Sequence, residues 1–343
     1  MGKKYLETTK SRRVLLFGVI GIVLLYGVIT ACSIVALLPV EATPTMTISK
    51  SPDLPTATQN EIIPTSTPTS EPDPIGKIAF TCQITGIRFQ DQICLINADG
   101  SGFRRLTFDD TSAHFYPSVA PDGNSVIYSA NPTGVYEIYE TDLDGNSRQL
   151  TYGLGTLTSP EISPDGARIA FTLGDGETAS LWIMNRDGTQ PRMVYPSGWD
   201  PAWSPSGDKI LFASYDQNSS IQLFTINPDG TEIHQVTQMA NLRGRSDWSP
   251  DGNWIVTYAG EPWRRELYIL QAAGGEPRQL TPAGGNSQGP SFSPDGNWVT
   301  FTAYFNDLGN DDGCEIYLLR VDGTQLTRLT DNEYCDWQPR WGP

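Results

Sequence analysis

From residue 75 onward the sequence repeats itself, and a repeat of this period leaves few folds open. One landmark is a Pro-Asp-Gly type turn: APDG at 120–123, SPDG at 163–166, SPSG at 204–207, SPDG at 249–252 and SPDG at 293–296. Its glycines stand 43, 41, 45 and 44 residues apart. A second landmark is a glycine turn, at Gly100, Gly145, Gly188, Gly230, Gly275 and Gly323. Five of these six turns are Asp-Gly, the strongest local signal for a β-hairpin. Between the landmarks lie four short pieces rich in β-branched and aromatic residues. In the last copy they read GPSF, WVTFTA, EIYLLR and LTRLT. Four antiparallel strands in each unit of about 40–45 residues make a propeller blade. A sandwich would not repeat its sequence, and no stretch of the body has the periodicity of an amphipathic helix. The expected fold is therefore all-β: a six-bladed β-propeller of four-stranded antiparallel blades over residues 75–343.

The first unit opens on IGKIAF (75–80), which aligns with second strands such as ARIAF and DKILF, so it lacks an innermost strand of its own. The chain finishes on DWQPRWGP (336–343), which aligns with innermost strands such as WDPAWSP and stops there. The tail is expected to supply the missing strand and shut the ring, leaving no open sheet edge. The pattern P-x-W/F-S-P-D-G, then an I-x-F strand, then I-Y, then DG and LT, resembles the TolB-type, WD-like propeller repeats. The resemblance covers residues 75–343 and implies the propeller alone. The separate N-terminal domain of periplasmic TolB proteins is not matched.

What stands in its place is an anchor and a stalk. Residues 1–13 hold Lys3, Lys4, Lys10, Arg12 and Arg13 against Glu7, and residues 14–40 carry no charge and are long enough to cross a bilayer. The basic cluster comes first, which places the body outside the cytoplasm, at a bacterial cell surface or in a periplasm. Two readings of the apolar segment stay open. One is a plain transmembrane helix. The other is a lipoprotein signal, because Ile29-Thr30-Ala31-Cys32 resembles a lipobox with Cys32 as the lipidated residue. Residues 41–74 are rich in Pro, Thr and Ser and poor in large apolar side chains, so they read as a disordered stalk. The whole chain has a formal net charge of -16, and the local charges of 1–13 and 41–74 cancel, so the body carries the excess. Nucleic acid is a poor partner for such a surface.

Four cysteines lie in the body. Cys82 and Cys94 fall on hairpin partners, while Cys314 and Cys335 fall at one end of the ring beside the closing strand. Two disulfides, Cys82–Cys94 and Cys314–Cys335, suit an oxidising compartment, with free buried thiols as the alternative.

Catalytic groups are scarce. The two histidines are His114 and His234, the latter on an outermost strand. Gly285-Asn286-Ser287-Gln288-Gly289 matches G-x-S-x-G but runs into Pro290, not into the strand–turn–helix of a nucleophile elbow. Asp307, Asn310, Asp311 and Asp312 form an acidic loop without EF-hand spacing, read as solvated turn residues rather than a metal site. No cofactor is called for. The positions that vary from blade to blade are those entering the innermost strands, at the mouth of the central channel: His114, Phe115, Tyr116, Thr158, Trp199, Asp200, Arg243, Arg245, Gln288, Asp336 and Trp337. Aromatics mixed with both charges on a repeated scaffold suit recognition of a protein, peptide or other ligand. The leading reading is a non-catalytic binding scaffold. The alternatives are a sensing ectodomain, or a carbohydrate- or peptide-active module with His114 as its acid–base group.

Overall fold

The computed structural model describes residues 73–84, 90–305 and 314–343. Within them, six four-stranded antiparallel sheets form the blades of a propeller. No α-helix occurs among the described residues, and the single helical turn is the 3₁₀ piece Gly176–Thr178. Residues 1–13, the 14–40 segment with Cys32, almost all of the stalk, and the Asp307–Asp312 loop lie outside the described residues. No helix among those described is long and apolar enough to cross a membrane.

Five blades use consecutive strands. In blade 2 they are His114–Val119, Ser125–Ala130, Glu137–Asp142 and Ser147–Gln149, from the channel outward. Blade 1 is composite: Asp336–Gly342 lies innermost, followed by Lys77–Cys82, Gln92–Asn97 and Arg104–Arg105. The closing strand pairs antiparallel with the chain's first strand, Lys77 opposite Gly342 and Cys82 opposite Asp336. The Trp341 indole N–H donates to Ile75 O at 2.8 Å. At Gly342 the backbone passes so close to Val119 of blade 2 that a Cβ would collide with its side chain.

Central strands such as KIAFTC and RIAFTL are apolar almost throughout because each blade is covered on both faces. Ile169 and Phe171 pack toward blade 2 with Ile127 and Ile138, whereas Ala170 between them packs toward blade 4 with Ile210 and Phe212. The last junction closes the circle: Ile78, Phe80 and Trp341 of blade 1 pack on Trp298, Ile316 and Leu318 of blade 6. The core is thus a ring of interfaces between blades, not one central mass.

Polar repeats fasten this frame. In SPDG turns the serine hydroxyl accepts the backbone N–H five residues on, as in Arg168 N to Ser163 Oγ at 2.9 Å and Trp298 N to Ser293 Oγ at 2.9 Å. Each such turn therefore satisfies its own backbone. The threonine of the LT pair, VT in blade 4, serves the third strand: Thr151, Thr237, Thr281 and Thr330 accept the N–H of Ile138, Leu223, Leu267 and Ile316 at 2.9–3.0 Å. One landmark sits a residue earlier than the spacing selected. In blade 5 the turn glycine is Gly274, whose N–H donates to Gln271 O at 2.9 Å as Gly230 does to Asn227 O. Ala273 fills the aspartate place there, and Gly275 lies outside the turn.

Disulfides join Cys82 to Cys94 and Cys314 to Cys335, with Cα atoms 5.9 and 4.4 Å apart. The second ties the residue that precedes the third strand of blade 6, Glu315–Arg320, to the residue that precedes the closing strand.

Deep in the channel the closing strand carries Arg340, 4% exposed. Its guanidinium lies 3.0 Å from Glu161 of blade 3 and 3.5 Å from Asp247 of blade 5. Asp247 also accepts from Ser291 Oγ at 2.8 Å and Phe292 N at 2.9 Å, and Ser291 Oγ accepts from Trp341 N at 3.1 Å. Removing one partner from such a buried cluster strands the others. Arg340→Ala is expected to lower the free energy of unfolding in urea by about 3–5 kcal/mol. Deleting Trp337–Pro343 should abolish the cooperative transition altogether. A truncated chain that unfolds like the wild type would show that the ring does not depend on its closure.

Candidate functional site

The innermost strands line the channel, and most of them share one irregularity. The register with the second strand shifts between Phe115 and Ser118, Thr158 and Glu161, Trp199 and Ala202, and Gln288 and Ser291. The closing strand shifts likewise, opposite Ala79 and Thr81. Inside each shift one residue adopts a left-handed backbone: Tyr116 (φ 57°), Ser159 (50°), Asp200 (52°), Gly289 (61°) and Gln338 (54°). Such a bulge re-aims one side chain. Each of these five residues precedes a proline, Pro117, Pro160, Pro201, Pro290 or Pro339. Blade 5 departs from the pattern. Ser246 replaces the proline, the inner strand shrinks to Asp247–Trp248, and Arg245 takes the bulge place.

Arg245 crosses the bore toward blade 2, where Nη2 donates to Pro117 O at 3.3 Å and the guanidinium lies 5.5 Å from the Tyr116 ring. Its backbone N–H donates to Asp200 Oδ2 at 2.9 Å, and Asp200 Oδ1 accepts from Ser159 Oγ at 2.6 Å. Gln338 Oε1 accepts from Tyr116 N and from Thr81 Oγ1, both at 3.0 Å. Burial, with the Asp200 charge added, pushes the Tyr116 hydroxyl up to about 12, so it stays protonated. Burial, followed by the repulsion of Arg340 below, holds the Arg245 pKa under the ordinary arginine value.

Above this floor opens a cavity of about 410 Å³, lined in part by Tyr116, Asp200, Arg245, Gln288 and Trp337. His114, Phe115, Trp199, Arg243 and Asp336 are not in its lining. His114 is buried between blades 1 and 2, its Nδ1 3.0 Å from Asp91 O and its ring 5.6 Å from Tyr128, and burial pushes its pKa down. Arg243 Nε and Nη2 both donate to Gly260 O, at 3.2 and 3.0 Å. Trp199 packs 5.1 Å from Tyr215, and Phe115 stands behind the wall with its ring 5.8 Å from Trp337. Asp336 is buried at the junction of blades 6 and 1. Ser287 of the G-x-S-x-G match is fully buried and leads into the strand Gln288–Phe292.

The rest of the wall comes from a hairpin that the repeat spacing concealed. In blade 5 the middle strands Trp254–Glu261 and Arg264–Gln271 have eight residues each, against six in the equivalent strands of blade 2. The hairpin carries Tyr258, Pro262, Trp263 and Arg265 to the cavity, where Asn286, Thr302 and Tyr304 join them. Trp263 is 71% exposed and meets the Tyr304 ring edge-on at 5.5 Å. The uninterrupted run WIVTYAGEPWRRELYIL was the available signal. Five buried polar atoms around the cavity have no hydrogen-bond partner within the protein: Arg245 Nε, Arg265 Nε, Asn286 Oδ1, Thr302 Oγ1 and Trp337 Nε1.

A family model described as the TolB beta propeller domain matches residues 56–238 and 168–343. An uncharacterized protein of Agrobacterium fabrum is 31% identical over 175 residues, which are 47% of this chain and 59% of that protein. The TolB homolog of Chlorobium luteolum is 31% identical over 156 residues, 45% of this chain and 35% of that protein. The chain thus spans less than two thirds of these relatives. The crystal structure of TolB from Acinetobacter baumannii superposes with a TM-score of 0.68 at 21% identity, covering 79% of this chain and 68% of that one.

Asp336, though absent from the mouth, leaves a pH signature. Burial and the neighbouring Glu315 charge raise its pKa from 3.8 to about 7. Asn332 Nδ2 donates to its Oδ2 at 2.8 Å. The folded chain therefore keeps a proton that the unfolded chain gives up. The stability this proton confers is full below the unfolded value and is lost as pH rises through about 7. The urea midpoint should fall across that window, and Asp336→Asn should flatten the fall. A variant with the wild-type pH profile would assign the dependence to other groups.

Proposed function

The chain belongs to the TolB β-propeller family, and from that premise we propose that it is a membrane-tethered, extracytoplasmic scaffold that binds a protein partner at the channel mouth. The carrying observation is the cavity above Arg245, where aromatic walls and buried, unpartnered polar atoms are gathered at one end of the ring. Those atoms stand beside an open cavity, where a bound group could complete their hydrogen bonds. Its neighbours offer binding geometry more than acid–base chemistry. His114 is turned into a blade junction, and both oxygens of Asp200 are engaged by Ser159 and Arg245. The tether rests on the uncharged 14–40 segment behind a basic cluster, as a transmembrane helix or as a lipoprotein signal ending at Cys32. The two disulfides support an oxidising location.

Trp263 provides the test because its exposure lets it be removed without emptying the core. In cross-linking of the full chain in its native membranes, Trp263→Ala should lose the partner that the wild type captures. Truncating a central aromatic anchor costs about 2 kcal/mol or more, roughly thirtyfold in affinity. Equal capture by variant and wild type would remove the mouth as the binding surface.

A further inference from the structure

We propose that the mouth recognises a carboxylate of its polypeptide partner, received between Arg245 and Arg265. This rests on the mouth being the protein-binding site and names the group bound there. The unpartnered atoms of the cavity are unbalanced. Arg245 Nε, Arg265 Nε and Trp337 Nε1 can only donate, Thr302 Oγ1 can do either, and Asn286 Oδ1 can only accept. Arg245, Thr302 and Asn286 are 7%, 1% and 5% exposed, so bulk water does not serve them freely. The one carboxylate in the wall, Asp200, already accepts at both oxygens, from Ser159 and from the Arg245 backbone. A ligand that completes this set must accept more hydrogen bonds than it donates.

A carboxylate does so, with about four lone-pair sites and a planar shape that fits the guanidinium fork. A sugar hydroxyl brings a donor for every acceptor and suits the set less well. Arg265 is held ready for the task, its Nη1 donating to Gln288 Oε1 at 2.7 Å while Nε stays unpartnered. Tyr258, Trp263 and Tyr304 give an aromatic wall beside the two guanidiniums, which fits a carboxylate borne by an apolar or aromatic residue. The body carries a formal net charge of -16, so an anionic partner is repelled at a distance. Attraction is left to short-range contacts inside the mouth.

The test is saturation-transfer NMR on the full chain in detergent micelles. The probes are N-acetyl-L-tyrosine, its carboxamide, N-acetyl-L-glutamic acid α-amide and glucuronate. N-acetyl-L-tyrosine or the glutamate probe should bind, whichever is tighter marking a chain end or a side chain as the source. The tyrosine carboxamide should bind at least tenfold more weakly than the acid. Arg265→Gln should weaken the acid at least tenfold and Arg265→Lys by less, with wild-type unfolding midpoints in both variants. The proposal is overturned if acid and carboxamide bind alike, if no probe binds, or if glucuronate binds more tightly than either amino-acid probe. If the carboxylate probes fail while Trp263→Ala still abolishes partner capture, the mouth binds protein by other chemistry and only this inference falls.

Discussion

A four-stranded blade has two apolar faces, and each must be covered by another blade. Phe171 and Ala170 are neighbours in sequence yet belong to different interfaces, and the same division recurs around the ring. Every blade is therefore half of two cores, and the arrangement is complete only when the last interface forms. That interface needs Trp341, whose strand pairs with Lys77–Cys82 from the other end of the sequence. Ring closure is the condition on which the other contacts depend. The chain meets it with an antiparallel strand pair, a disulfide beside that strand, and Arg340 reaching two opposing blades.

The channel follows from the same constraint. Six innermost strands converge on one axis, and in five of them a bulge ahead of a proline turns one residue toward it. Five blades repeat that device with side chains of different chemistry. Blade 5, without the proline, contributes the long Arg245 side chain that spans the bore. The departure of one blade from the repeat thus gives the cavity its floor, one layer above Arg340. The longer hairpin of the same blade raises the pocket's wall.

The blade count and the split first blade were legible because turns impose backbone demands that only a few residues meet. An aspartate or serine that bonds its own turn, followed by glycine, marks the period whatever packs nearby. The mouth was legible only in part. Tyr116, Asp200, Arg245, Gln288 and Trp337 were found from sequence and line the cavity. His114, Phe115, Trp199 and Asp336 lie beside them in sequence and face elsewhere, since a strand reverses direction at every residue and a bulge shifts that alternation, while Arg243 is turned to the Gly260 carbonyl. Tyr258, Trp263 and Arg265 escaped notice for a different reason. Their hairpin lengthens two strands at the expense of a loop, so the distance from Gly252 to Gly296 stays at 44 residues, like that of the other units.

The two buried arginines of the channel separate structure from recognition. Arg340 faces Glu161 and Asp247, and these carboxylates, working against burial, hold its pKa above the ordinary value. Arg245, one layer nearer the mouth, has the opposite shift, because burial and the repulsion of Arg340 outweigh Asp200. The lower charge is neutralised by the fold itself, as a closing device requires. The upper charge is held by a backbone carbonyl and an aromatic face, with Nε left over. An incompletely compensated cation is costly to bury, and a fold that only needed to shut its ring could have placed an apolar side chain there. Its place at the floor of the cavity is physically intelligible if something outside the chain completes its coordination.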